Sequence, residues 1–100
     1  MNATGSKEEV LKAALDTYGA DAQLDMLTEE CAELIQAVCK YKRARDEEDI
    51  GPAVDSLFEE LADVGIMIDQ MKILFDGGGI ARRRSEKIGR LEWRLKARWA

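Results

Sequence analysis

Residues 24–45, LDMLTEECAELIQAVCKYKRAR, contain neither glycine nor proline, and Leu24, Leu27, Cys31, Leu34, Val38 and Tyr41 recur in them at spacings of three and four. That is the period of one helix face, so the stretch predicts a long amphipathic helix, with Asp21 as its N-cap. Working outward, Ser6 followed by Glu9 is a capping box. It opens a short helix through Val10, Leu11, Ala14, Leu15 and Tyr18, which Gly19 ends. On the other side, residues 46–52 (DEEDIGP) read as a charged loop whose proline sits in the first turn of a third helix. The apolar stripe of that helix is Val54, Leu57, Phe58, Leu61, Val64, Ile68, Met71 and Phe75. Asp76-Gly77-Gly78-Gly79 should break it, and a last amphipathic helix follows over about 81–98. The expectation is an all-α chain. A helical hairpin with two terminal helices makes a four-helix-type bundle, in one domain over 1–100.

Composition agrees. The chain has 100 residues with 46% hydrophobic, 35% charged, six aromatics and one proline. Aliphatic and long straight side chains lose little rotamer freedom in helices, which favours helix over sheet. So small a chain leaves much apolar surface uncovered as a monomer, and self-association is the expected remedy. No apolar run approaches the roughly 20 residues of a membrane span, and the opening MNATGSKEEV has no apolar signal region. Cys31 and Cys39 lie about two turns apart on one helix, too far to bridge, and are expected as two small buried hydrophobes in a reducing cytosol.

Charge is divided along the chain. Residues 1–79 hold 7 Lys/Arg against 18 Asp/Glu, a net −11, whereas residues 80–100 hold 8 against 2, a net +6. An acidic body repels a phosphate backbone, which disfavours nucleic acid as a partner. A small polyanion, held jointly by a metal and by lysine or arginine, fits better.

The acids have a pattern of their own. Glu29-Glu30-Cys31-Ala32-Glu33 and Glu59-Glu60-Leu61-Ala62-Asp63 lie on the second and third helices. Residues at i and i+3 share a face, so Glu30 with Glu33, and Glu60 with Asp63, are side-by-side carboxylate pairs. Glu30 falls between Leu27 and Leu34, and Glu60 flanks Leu57 and Leu61, so both border the core, where an unpaired anion is costly. Oxygen-only donors select a hard cation, Mg²⁺ or Mn²⁺. The chain has no histidine, which removes di-iron bundles, most zinc designs and a histidine base. Any hydrolysis here takes its base from a carboxylate or from metal-activated water.

The stretches EECAELIQAVCKYKRAR, EELADVGIMIDQM and EKIGRLEWRL together resemble the MazG-like nucleotide pyrophosphohydrolases of the all-α NTP pyrophosphatase superfamily, over about residues 24–94. The family signature is E-x-x-E on one helix and E-x-x-D on the next, matched by Glu30 and Glu33 and by Glu60 and Asp63. The resemblance implies Mg²⁺ held by these four acids and hydrolysis between the α- and β-phosphates of a nucleoside triphosphate, giving the monophosphate and pyrophosphate. It assigns the phosphate tail to Lys87, with Arg90 and Arg94 as further candidates. Relatives often carry asparagine near that lysine, whereas Ile88 and Gly89 follow here. It further implies a homodimer or homotetramer acting in the cytoplasm, in some cases of a phage-infected host. Two alternatives stand beside it: a phosphoribosyl-ATP pyrophosphohydrolase-like enzyme, and a non-catalytic metal-binding helical module.

Overall fold

A computed structural model describes residues 5–99. Four helices account for nearly all of them, in the order α1 (Lys7–Tyr18), α2 (Ala20–Arg43), α3 (Glu47–Leu74) and α4 (Gly77–Trp99). There is no strand among the described residues, so the chain is all-α as its periodicity predicts. The residues fall into two compact units, one up to Gln70 and one from Met71 onward.

In the first unit, Ser6 caps α1 as expected: its Oγ accepts the Glu9 N–H at 3.1 Å. Glu8 and Glu9 in the first turn complement the helix dipole. Gly19 then does two jobs. Its φ of 89° lies where side chains with a Cβ are strained, its N–H donates to the Leu15 carbonyl at 2.9 Å, and α2 begins at the next residue. Asp21 therefore lies inside the first turn of α2 and is not its cap. The last turn of α2 carries Lys40, Lys42 and Arg43 beside its exposed carbonyls, and Ala44 leaves the helix in extended conformation.

The third helix departs from expectation at its start. It begins at Glu47 and not near Pro52, because Asp46 caps it, its Oδ1 accepting the Asp49 N–H at 3.0 Å. Glu47, Glu48 and Asp49 then load the first turn with the charge its dipole favours. Pro52 sits within the helix, where it withholds one donor from the Glu48 carbonyl. The charged segment is thus the first turn of a helix.

α2 and α3 run antiparallel, bringing Ala37 and Ala53, both buried, to the inner faces of the pair. The rest of this unit's interior is Leu11, Val64 and Met67, with two buried glutamines, Gln23 and Gln70. The Gln70 amide donates to the Leu11 carbonyl at 3.4 Å, and Lys7 Nζ meets Asp69 Oδ2 at 3.2 Å, so α1 is tied to the distal part of α3. The expected α3 stripe is only partly inside: Val64 is buried, whereas Phe58 (63% exposed), Leu61 and Ile68 are not. On α2, Leu24, Leu27, Cys31 and Leu34 are half-buried, but Val38, Tyr41 and Cys39 are exposed. The buried side of α3 is narrower than its apolar arc, because α1 and α2 offer cover to one face of it only.

In the second unit the chain reverses at Asp76, a non-glycine residue at φ 65° whose Oδ1 accepts the Gly78 N–H at 3.2 Å. Gly77, Gly78 and Gly79 are not a loop: they form the first turn of α4. A Cβ on Gly77 would stand 3.2 Å from the Lys72 Cβ, so the tight return after α3 leaves little room for a side chain there. Met71 and the end of α3 supply the buried part of this unit, and Phe75 is exposed. Every described residue of α4 from Arg82 onward is exposed. No helix among the described residues is long and apolar enough to cross a membrane.

Candidate metal centre

The antiparallel register of α2 and α3 decides which acids meet. Counting toward the turn on one helix and away from it on the other sets Glu30 by Asp63 and Glu33 by Glu60. One carboxylate oxygen from each of Glu30, Glu60 and Asp63 lies within 4.8 Å of the others. Glu33, an exposed residue one turn along α2, adds its charge to both Glu30 and Glu60. All four acids singled out in the sequence therefore converge in the first unit, three of them at ligand distance.

Electrostatically this is an unneutralised group. Glu30 and Glu60 are half-buried, and the Oε2 of each is shut off from water with no hydrogen-bond partner. Loss of hydration disfavours their ionised forms first, and the neighbouring charges of Glu33 and Asp63 add to it. The Glu30 carboxyl is pushed up to about 7, and Glu60 shifts in the same direction. Among the described residues no lysine or arginine forms an ion pair with any of the four.

These residues suit a small hard cation. An octahedral Mg²⁺ with oxygens at about 2.1 Å places its donors roughly 3–4 Å apart, and the three carboxylate oxygens are already gathered to within 4.8 Å. A cation there would partner the two orphaned oxygens and remove the repulsion that raises both carboxyls. The donor set is all oxygen, which excludes the soft-metal chemistries.

The remaining sequence candidates lie on α4. Lys87, Arg90 and Arg94 are exposed, and with Trp93 they line one recess of about 420 Å³ within the second unit. Their spacing of three and four residues puts them on one side of the helix. The described residues show no ion pair to them; the acid–base contact on α4 is Glu92 with Lys96 at 2.7 Å.

A second recess, also about 420 Å³, was not foreseen from the sequence. It opens beside Glu33 and Glu60 and is lined further by Gln36, Ala37, Lys40 and Ser56. The spacing Glu33, Gln36, Lys40 is a helical i, i+3, i+7 series that the sequence displays, but nothing local marks Ser56 as its neighbour across the hairpin. No protein-family model matches this chain, and comparison with curated proteins and with solved structures returns no match.

Proposed function

We propose that this protein is a Mg²⁺-dependent nucleoside triphosphate pyrophosphohydrolase of the MazG-like kind, cleaving between the α- and β-phosphates. One observation carries the reading: four acids from two E-E-x-A-acid segments converge, and two of their oxygens are buried without a partner. Acidic clusters serving only solubility keep their carboxylates hydrated, whereas this one lacks a counter-charge and tolerates that at a cost.

In this reading Glu30, Glu60 and Asp63, with Glu33, hold the metal, for which Mn²⁺ is an acceptable substitute. Bound Mg²⁺ supplies positive charge to the phosphoryl oxygens and lowers the pKa of a coordinated water. Glu33, exposed beside Glu30 and Glu60, takes the proton of the attacking water. The water oxygen bonds to the α-phosphorus as the bond from that phosphorus to the bridging oxygen breaks. The electron pair leaves with pyrophosphate, and the other product is the nucleoside monophosphate. Lys87, Arg90 and Arg94 are assigned to phosphate oxygens, where guanidinium and ammonium groups act as charge-assisted donors. The exposed Phe58, Leu61, Ile66 and Ile68 support assembly as a homodimer or homotetramer.

The test is phosphorus NMR of mixed ribo- and deoxynucleoside triphosphates with the pure protein and Mg²⁺, beside Glu33→Gln and Asp63→Asn. Pyrophosphate and monophosphates from the native chain alone are expected. Full activity in both variants would overturn the assignment of the acids. No turnover of any common triphosphate would leave phosphoribosyl-ATP to be tried. Failure there as well would reduce the centre to a metal-binding element of a non-catalytic module.

A further inference from the structure

Resting on that reading, we propose that the recess running from Glu33 and Glu60 to Lys40 is the seat of the departing pyrophosphate, with Lys40 as its cation and Gln36 and Ser56 as its neutral donors. Glu33, Gln36, Ala37 and Lys40 lie on α2, Ser56 and Glu60 on α3, and together they enclose about 420 Å³. The hairpin orders them: acids at one end, then Gln36 with Ser56, then Lys40 toward the turn. Seven residues separate Glu33 from Lys40, which is about 10 Å along the axis on nearly the same face. Side chains on a helix lean toward its N-terminus, so Lys40 reaches back toward the acids and not away from them.

The lining selects phosphate over a nucleobase. A base needs a flat aromatic or aliphatic wall to replace its stacking, and the only apolar residue in this recess is Ala37, itself buried. An ammonium, an amide and a hydroxyl all donate hydrogen bonds and suit the oxygens of a polyanion. Lys40 is exposed and forms no ion pair among the described residues. That holds even though Glu48 and Asp49 line the neighbouring recess it also borders. A leaving group of high negative charge, released beside four carboxylates, needs a cation on its exit side, and Lys40 is the lysine or arginine that the recess provides. This assigns a phosphate role within the first unit, apart from the basic residues of α4.

The experiment compares Lys40→Gln, Lys40→Arg and Ser56→Ala with the native chain, using inhibition by pyrophosphate and by nucleoside monophosphate in the presence of Mg²⁺. Pyrophosphate inhibition should weaken about tenfold or more in Lys40→Gln and recover to within about threefold in Lys40→Arg, the size expected for a charge-assisted contact. Monophosphate inhibition should stay within about twofold, a split that a general loss of structure would not produce. Unchanged pyrophosphate inhibition, or weakened monophosphate inhibition in its place, would overturn the assignment. Calorimetric binding of Mg²⁺-pyrophosphate needs no turnover and separates the two readings. A protein that hydrolyses nothing yet loses pyrophosphate binding in Lys40→Gln would refute the hydrolase and retain the subsite. A hydrolase whose pyrophosphate binding ignores Lys40 would do the reverse.

Discussion

Metal binding at the carboxylate centre should be coupled to proton release, with a pH dependence set by Glu30. Its carboxyl, pushed up to about 7 by lost hydration and by the charges of Glu33, Asp63 and Glu60, keeps its proton far above the ordinary glutamate range. A cation binds the ionised form, so it must displace that proton. With a pKa near 7, roughly a tenth of Glu30 is ionised at pH 6 and roughly nine tenths at pH 8, so Mg²⁺ affinity should rise about tenfold over that interval from this residue alone. Glu60, shifted the same way, adds to the rise. The sign for stability is opposite. A carboxyl raised in the folded state stabilises most fully below the unfolded value of 4.5, and that contribution is lost as pH climbs toward about 7. The metal-free protein should therefore melt at lower temperature at pH 7.5 than at pH 5 from this source, and added Mg²⁺ should recover more at pH 7.5. Titration calorimetry in two buffers of different ionisation enthalpy counts the protons: about one or more per metal at pH 6, falling toward zero by pH 8. Glu30→Gln should flatten both profiles. Mg²⁺ binding at pH 6 without proton release would refute the reasoning.

Three further outcomes test the frame. Asp63→Asn should abolish the rise in melting temperature that Mg²⁺ gives the native chain, while leaving far-ultraviolet circular dichroism unchanged. Gly19→Ala should destabilise by about 1–3 kcal/mol in chemical unfolding, because a Cβ is forced into a left-handed backbone with no alternative residue to absorb the reversal. Lys7→Ala, which breaks the contact to Asp69 on a largely exposed surface, should cost under about 1 kcal/mol, and raised salt should shrink even that.

Long-period features were legible in the sequence, and features set by a single residue's competition were not. The glycine-free run over 24–45 and the i, i+3 acids read directly as helix and as paired carboxylates, since both depend only on helical geometry. The antiparallel hairpin then brought Glu30, Glu60 and Asp63 together without further information. The start of α3 is not legible, because a proline six residues after Asp46 argues for a loop, while a side-chain cap with three acids behind it outweighs that. The three glycines point the opposite way: permissive residues suggest a break, but Asp76 makes the reversal, and of the three only Gly77 lies against Lys72. The buried face of α3 escaped because apolar spacing marks an arc, while the neighbours actually present decide how much of it is covered. Lys40 and Ser56 line one recess from opposite helices, and no local pattern announces a neighbourhood that depends on register.

That register also restricts how such a chain can change its length. Inserting one residue into α2 between Glu33 and the turn rotates everything beyond it by about 100° and shifts it by about 1.5 Å, so the acids on α3 would no longer face their partners. Compensation requires a matching change on the opposite helix. The hairpin can therefore grow or shrink only by paired increments near whole turns, or by residues confined to the short connection at Ala44–Asp46. Distant relatives should keep the three-residue spacing within each acidic pair fixed, while the interval between the pairs varies by paired helical increments or within the connection.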